Sequence, residues 1–180
     1  MELARVVRWI GDINQQNFDR VLDEIISHLK ESQSEPIWLL LLSDGGETDV
    51  GFSFYDNMRL LKPNLITVGT GTVRSIAPII LASGTMRLLT ENTSFLFHDF
   101  FAIDMDAEGR LDSKLLISFG KDLERGMKIY REILVKRSGG RLSQQKIRSI
   151  MSNQRTLVAN EAVRLGLADA IADPSMFKTE

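Results

Sequence analysis

The 180-residue sequence contains no cysteine, which excludes disulfide bonds, thiolate nucleophiles and cysteine-ligated metals. It has only two histidines, and no carboxylates cluster with them, so we predict neither a metal site nor any other cofactor. No apolar run is long enough for a signal peptide or a membrane span. The formal net charge is −2, which gives no reason to expect binding to nucleic acid or to an anionic membrane. These absences favour a cytoplasmic location.

The composition that remains is typical of a soluble globular protein, with 43% hydrophobic and 26% charged residues. Neither an internal repeat nor a low-complexity linker divides the chain. A chain of this length can bury a sizeable core, so we expect one domain covering residues 1–180.

Strand-like and helix-like segments alternate in the first half of the chain. The predicted strands are Arg5–Ile10, Ile37–Leu42 and a third that starts at Leu65, and the predicted helices are one that ends near Lys30 and a second over Thr48–Leu61. Such alternation predicts an α/β fold with a mainly parallel sheet. The unbroken apolar run of the second strand predicts that both of its faces are covered.

The second half of the chain is predicted to be mainly helical. We expect strands Met86–Leu89 and Ser94–His98, a polar loop Asp104–Asp112, a long helix Ser113–Lys136, a short helix capped by Ser143, and a last helix Glu161–Leu165 capped by Asn160. The apolar stripe of the long helix comprises Leu115, Leu116, Phe119, Leu123, Met127, Tyr130 and Leu134. Ile117 lies on a different arc from Leu116, which favours a second apolar contact, with another subunit.

Ser75 is the centre of the most informative stretch of the sequence. The apolar strand before it leads to Gly69 and Gly71, and the apolar segment Ile76–Ala82 follows it. A strand, a tight glycine-bearing turn, a serine and a buried helix place the hydroxyl near the free N–H groups of the first helical turn. The alternative from this stretch alone is that Ser75 only caps a core helix.

Two further motifs are predicted to lie at the same edge of the sheet as Ser75. Gly45-Gly46 follows the second strand and His98 ends a later one, and the carboxyl ends of parallel strands lie together. A serine nucleophile needs a base such as neutral histidine, together with two backbone N–H donors for the oxyanion. We therefore predict an acyl-transfer site with Ser75 and His98, and with the N–H groups of Gly45 and Ile76 as the oxyanion hole.

The segment Ser43–Pro63, SDGGETDVGFSFYDNMRLLKP, closely resembles the corresponding block of the Clp protease proteolytic subunit family. The likeness continues in register through Gly71 and Gly84, and it places the family's nucleophile on Ser75. The segment SFLFHDF places the family's histidine on His98. The ending LVANEAVRLGLAD is similar to the family's C-terminal helix and its glycine-leucine-x-aspartate motif.

This resemblance implies a crotonase-like α/β fold of repeated ββα and βαβ units, with the long helix as a handle. It further implies a serine endopeptidase that cleaves peptides or unfolded polypeptide, with Gly46 at the substrate. The implied assembly is a homo-oligomeric ring, either a heptamer or two stacked heptamers. No metal is implied.

Three departures from the family pattern lead to further expectations. Asp44 replaces a proline, and Arg74, Ile76 and neighbouring residues replace small residues and a methionine around the nucleophile. The family's N-terminal helix and axial loops have no counterpart in the sequence, so we expect weak or no dependence on a Clp-type ATPase partner. The family's third triad residue, an aspartate, falls on Gln154, which predicts slow hydrolysis.

Two other functions compete with a peptidase at this stage. The imperfect triad is compatible with a catalytically silent ring subunit or scaffold, although such a subunit would need neither Ser75 nor His98. The third possibility is an acyl-CoA enzyme of the crotonase superfamily, which shares the fold and the paired N–H oxyanion hole.

Overall fold

The computed structural model describes residues 5–99, 113–173 and 176. The strands are β1 Val6–Ile10, β2 Ile37–Ser43, β3 Leu65–Arg74, β4 Met86–Leu89, β5 Ser94–Leu96, β6 Leu157–Val158 and β7 Ala170–Ile171. The helices are α1 Gln15–Glu31, α2 Thr48–Leu61, α3 Ala77–Ala82, α4 Ser113–Arg137, α5 Gln144–Ser152 and α6 Ala159–Arg164. The predicted alternation of strands and helices in the first half is confirmed.

The strands form a mainly parallel sheet in the order β1-β2-β3-β4-β7. β5 pairs with β3 in parallel and with β6 in antiparallel orientation. The predicted parallel sheet is thus confirmed. The short strands β6 and β7 were not predicted, because two residues are too few to show a periodicity.

The central strand β3 changes its neighbour halfway along its length. Its first part pairs with β4 from Ile66 to Gly69, and its last part pairs with β5 from Thr72 to Arg74. The glycines between these parts do not end the strand, so the predicted tight turn is wrong. Gly71 has a φ of 62°, and the register against β2 shifts at this level. Ser75 consequently follows a strand that is held on both sides.

The core is formed by one face of the sheet and the helices packed on it. Trp9 of β1 packs edge-on against Phe54 of α2, with 5.2 Å between ring centroids. Burial alternates along β2, where Leu39 and Leu41 are fully buried but Leu42 is 38% exposed. The expectation that both faces of β2 are covered is therefore wrong for the single chain, since its apolar run leaves the second face partly open.

Helix α4 packs on the core only through its C-terminal half. Met127, Tyr130 and Leu134 are buried, whereas Leu116 and Phe119 are 54% and 44% exposed. The predicted apolar stripe therefore describes a core contact in the last part of the helix and an exposed surface in the first part.

The ends of three predicted elements differ from the structure. β5 ends at Leu96, so His98 lies two residues beyond the strand. The last helix begins after Val158, and Asn160 lies inside it rather than capping it. Ser143 does cap α5, because its side chain accepts a hydrogen bond from the N–H of Lys146. The predicted loop Asp104–Asp112 lies outside the described residues.

An ion pair joins the C-terminal motif to the sheet. Arg87 of β4 is almost fully buried, and its guanidinium donates hydrogen bonds to both carboxylate oxygens of Asp169, while its backbone N–H also donates to one of them at 2.8 Å. Burial alone would raise the pKa of Asp169, but the hydrogen bonds and charge of Arg87 outweigh it and the pKa is lowered.

Asp169→Asn is expected to lower the free energy of unfolding at pH 7 by about 1–2 kcal/mol, because the buried guanidinium of Arg87 loses its counter-charge. The loss is modest because the Asp169 side chain is itself partly exposed to solvent. The wild-type contribution is present above the carboxyl pKa of the unfolded chain, about 3.9, and is lost as the pH falls through the lower folded value. Urea unfolding between pH 7 and pH 3 measures this, with the exposed Asp23→Asn as control. A difference between Asp169→Asn and wild type that does not shrink at low pH would contradict it.

Candidate active site

Ser75 has a left-handed backbone conformation, with a φ of 56°. This region is unfavourable for a residue with a side chain, on the order of 1–3 kcal/mol, and persists only where the surroundings impose it. Here they do so from both sides: the Ser75 N–H donates to the Leu96 carbonyl at 2.8 Å, and the Ser75 carbonyl accepts from the Tyr130 hydroxyl at 2.7 Å. The N-cap residue of α3 is Ile76, and no side chain makes a capping hydrogen bond there. Ser75 is therefore not the cap of a core helix.

The glycine turn after β2 lies directly against Ser75. A Cβ atom on Gly45 would be 2.5 Å from the Ser75 Cβ and 3.0 Å from its Oγ, so only glycine fits. The N–H of Gly45 is already used, since it donates to the Ser43 hydroxyl at 3.1 Å. The prediction that Gly45 supplies an oxyanion-hole donor therefore needs correction, because a donor committed to Ser43 is not available to a substrate.

The peptide unit between Gly45 and Gly46 directs its carbonyl toward the segment that follows β1. The Gly45 carbonyl accepts a hydrogen bond from the N–H of Ile13, which follows β1, at 2.8 Å. In a trans peptide the next N–H points in the opposite direction, so the Gly46 N–H faces away from β1, on the side where β3 and Ser75 lie. Within the described part of the chain, neither this N–H nor that of Ile76 has an acceptor.

His98 lies in a cavity of about 290 Å³ that is lined by His98, Asp99, Met151, Ser152 and Gln154. His98 and Gln154 therefore line the same cavity. The His98 Nδ1 atom is 2.6 Å from the carbonyl oxygen of Asp99, which can only accept a hydrogen bond. For the neutral ring we therefore assign the proton to Nδ1, which makes Nε2 the nitrogen that can accept a proton.

Two expected contacts are not among the hydrogen bonds of the described residues. No bond joins the Ser75 hydroxyl to the His98 ring, and none joins His98 to Gln154. Contacts between catalytic groups are often long without substrate and shorten when it binds. Gln154 has a left-handed backbone, with a φ of 47°, and is exposed at the cavity edge.

Among residues 5–99, 113–173 and 176, no group of three or more histidine, aspartate or glutamate side chains could hold an ion. None of the helices described is both long and apolar enough to cross a membrane.

Comparisons with known proteins identify the family. A profile of the Clp protease family matches residues 1–175. The chain belongs to the Clp protease family. Its mixed α/β architecture with a mostly parallel sheet is consistent with the crotonase-like fold.

Curated Clp protease relatives match at modest identity. The ATP-dependent Clp protease proteolytic subunit 2 of Treponema denticola is 27% identical over 171 residues, which cover 94% of this chain and 82% of the relative. The proteolytic subunit of Dehalococcoides mccartyi is 27% identical over 169 residues, with 93% and 81% covered. A third relative, subunit 2 of Bifidobacterium longum, is 32% identical over 93 residues, which span 50% of this chain but only 45% of that protein.

The two departures from the Clp pattern next to the site contact each other. Arg74 precedes the serine and Asp44 precedes the glycine pair, and their charged groups are 3.4 Å apart. Arg74 also donates to the Ser94 hydroxyl on β5 at 3.1 Å. The pair links the glycine turn, the serine and the strand that leads to His98. Sequence reasoning missed it, although opposite charges at both motif positions were a visible signal.

Proposed function

We propose that this Clp family member is a serine peptidase that cleaves short peptides or unfolded polypeptide. In this mechanism the Ser75 Oγ attacks the substrate carbonyl carbon while the His98 Nε2 takes the hydroxyl proton. The N–H groups of Gly46 and Ile76 stabilise the oxyanion, and the same proton later passes to the leaving amine. The left-handed conformation of Ser75 beside a glycine turn carries the proposal, since such strain favours a nucleophile over a structural serine.

The competing function is a ring subunit without activity. The neutral side chain of Gln154, at the position where the family has an aspartate, favours it. This alternative leaves unexplained the close contact of Gly45 with Ser75, where a Cβ atom on Gly45 would lie 2.5 Å from the Ser75 Cβ.

Treatment with a fluorophosphonate should add one phosphonyl group to the wild-type chain and none to Ser75→Ala. The Ser75 oxygen would form a bond to phosphorus while the bond from phosphorus to fluorine breaks. Intact-mass spectrometry measures the product, and Ser34→Ala is a matched control because it removes an exposed serine hydroxyl before β2 and leaves Ser75 and its neighbours unchanged. An unmodified wild-type chain would favour the silent subunit.

We also propose that the exposed part of α4 packs against another copy of the chain in a ring. Leu116 and Ile117 are 54% and 59% exposed, and burying such side chains is favourable. Light scattering at micromolar concentration should give a mass several times that of one chain. A monomeric mass would contradict the proposal.

A further inference from the structure

Tyr130 of α4 contacts both chain segments that carry the proposed catalytic pair. Its side chain is completely buried, and its hydroxyl donates to the Ser75 backbone carbonyl at 2.7 Å. Its ring packs obliquely against Phe97, with 6.5 Å between centroids, and Phe97 directly precedes His98. Phe97 in turn packs edge-on against Phe95 of β5 at 5.8 Å. One side chain therefore connects the serine, the histidine segment and α4.

The hydrogen bond from Tyr130 acts on the part of Ser75 that fixes its backbone. A left-handed serine returns to an ordinary conformation unless its own backbone groups are held. The N–H is held by the Leu96 carbonyl, and the carbonyl is held by Tyr130. The carbonyl of Ser75 and the N–H of Ile76 belong to the same peptide unit. Fixing this carbonyl therefore also fixes the direction of the proposed oxyanion donor.

The protonation of Tyr130 suits this task. Burial raises the pKa of Tyr130 well above its usual value, so the hydroxyl keeps its proton at neutral pH and remains a donor. A buried tyrosine hydroxyl normally has a hydrogen-bond partner, so a tyrosine in a predicted apolar stripe indicates a polar contact within the core. In sequence terms Tyr130 was only one member of an apolar stripe.

We propose that Tyr130 is a positioning residue that holds Ser75 in its left-handed conformation and aims the Ile76 N–H at the oxyanion. This inference rests on the proposed peptidase function. Tyr130 touches no substrate and takes part in no proton transfer. Its loss should therefore slow the chemical step at Ser75 while leaving the binding of substrate nearly unchanged.

Tyr130→Phe tests the proposal because it removes the hydroxyl and keeps the ring. We expect the maximal rate of fluorophosphonate labelling of Ser75 to fall about tenfold, with the half-saturating concentration of the reagent unchanged within about twofold. Tyr55→Phe is the matched control: it alters the only other tyrosine, which is also buried, and should leave both values unchanged. Equal labelling kinetics in Tyr130→Phe and wild type would overturn the proposal.

Hydrogen exchange separates failure of the positioning role from failure of the peptidase function. Exchange of the peptide covering residues 72–78 should become faster in Tyr130→Phe but not in Tyr55→Phe, whether or not wild type is labelled. Unchanged exchange in this peptide would overturn the positioning role. An unlabelled wild type with faster exchange in Tyr130→Phe would leave the positioning role supported and the peptidase function rejected.

Fluorine NMR tests the proposal without removing the Tyr130 hydroxyl, and so it applies even if Tyr130→Phe does not fold. In the Tyr55→Phe background Tyr130 is the sole tyrosine, so 3-fluorotyrosine supplied during expression enters only there. Modification of Ser75 should shift the fluorine resonance of this residue if the hydroxyl contacts the serine peptide unit. A resonance that does not move on complete modification would overturn the proposal.

Discussion

Hydrolysis of a short peptide should fall roughly 10³-fold in His98→Ala. The Asp99 carbonyl fixes the proton on Nδ1, which leaves Nε2 as the nitrogen that can take the proton of the serine hydroxyl. Without a base the hydroxyl of Ser75 is almost entirely protonated at neutral pH and attacks slowly. The value of kcat/KM with a fluorogenic peptide measures the effect, and Ser75→Ala gives the background rate.

The second histidine provides the control for this experiment. His28 lies in α1, where its ring is 3.4 Å from Glu31, and His28→Ala should retain the wild-type rate. If His98→Ala also retains it while Ser75→Ala does not, the serine is activated by another group and the proposed pair is wrong. The fold of each variant is checked by circular dichroism.

Gln154→Asp should accelerate the acylation of Ser75 about 10- to 100-fold. The third residue of a serine triad fixes the histidine tautomer and stabilises the imidazolium that forms. In this chain the carbonyl of Asp99 already performs the first task, so only the second is missing. A carboxylate at position 154 would lie in the cavity that His98 lines, where it can stabilise the positive ring. Single-turnover kinetics with an activated ester measure the acylation rate.

Two further variants test whether the position of the new carboxylate, rather than the loss of the amide or the added charge, causes the acceleration. Gln154→Ala should change the rate less than about threefold, because the amide makes no described hydrogen bond to His98. Asn153→Asp places the same charge one residue away, where the native side chain bonds to the Ser149 carbonyl outside the cavity, and should accelerate little. An Asn153→Asp gain equal to that of Gln154→Asp would mean that net charge rather than position is responsible.

The sequence predicts those parts of the fold that depend on nearby residues. Periodicity located α2 at Thr48–Leu61 and β4 at Met86–Leu89, since both patterns are local. The course of β3 through its glycines could not be read from the sequence, because it depends on β5 replacing β4 beside the strand. Asn160 is a favoured capping residue, yet the helix begins before it, where Glu161 bonds back to the N–H of Val158.

The sequence located the site better than it described the contacts within it. Motif order placed Ser75 and the glycine pair at one edge of the sheet, and in the structure Gly45 contacts Ser75. It did not show which glycine has an available N–H, because that depends on bonds to Ser43 and Ile13. The opposite charges of Asp44 and Arg74 were visible in the sequence, but their contact depends on how the ends of β2 and β3 lie side by side.

The hydrogen bond between Tyr130 and Ser75 also bears on the order in which a newly made chain folds. The two residues are 55 positions apart, so the serine emerges from the ribosome well before the helix that holds it. Contacts this distant in sequence form late, because closing the intervening loop costs entropy before the contact stabilises anything. An early intermediate that contains only β1 to β4 would lack both contacts that hold the Ser75 backbone, so Ser75 would have an ordinary conformation there. Ser75 would then adopt its left-handed conformation only when β5 and α4 dock and supply the contacts of Leu96 and Tyr130.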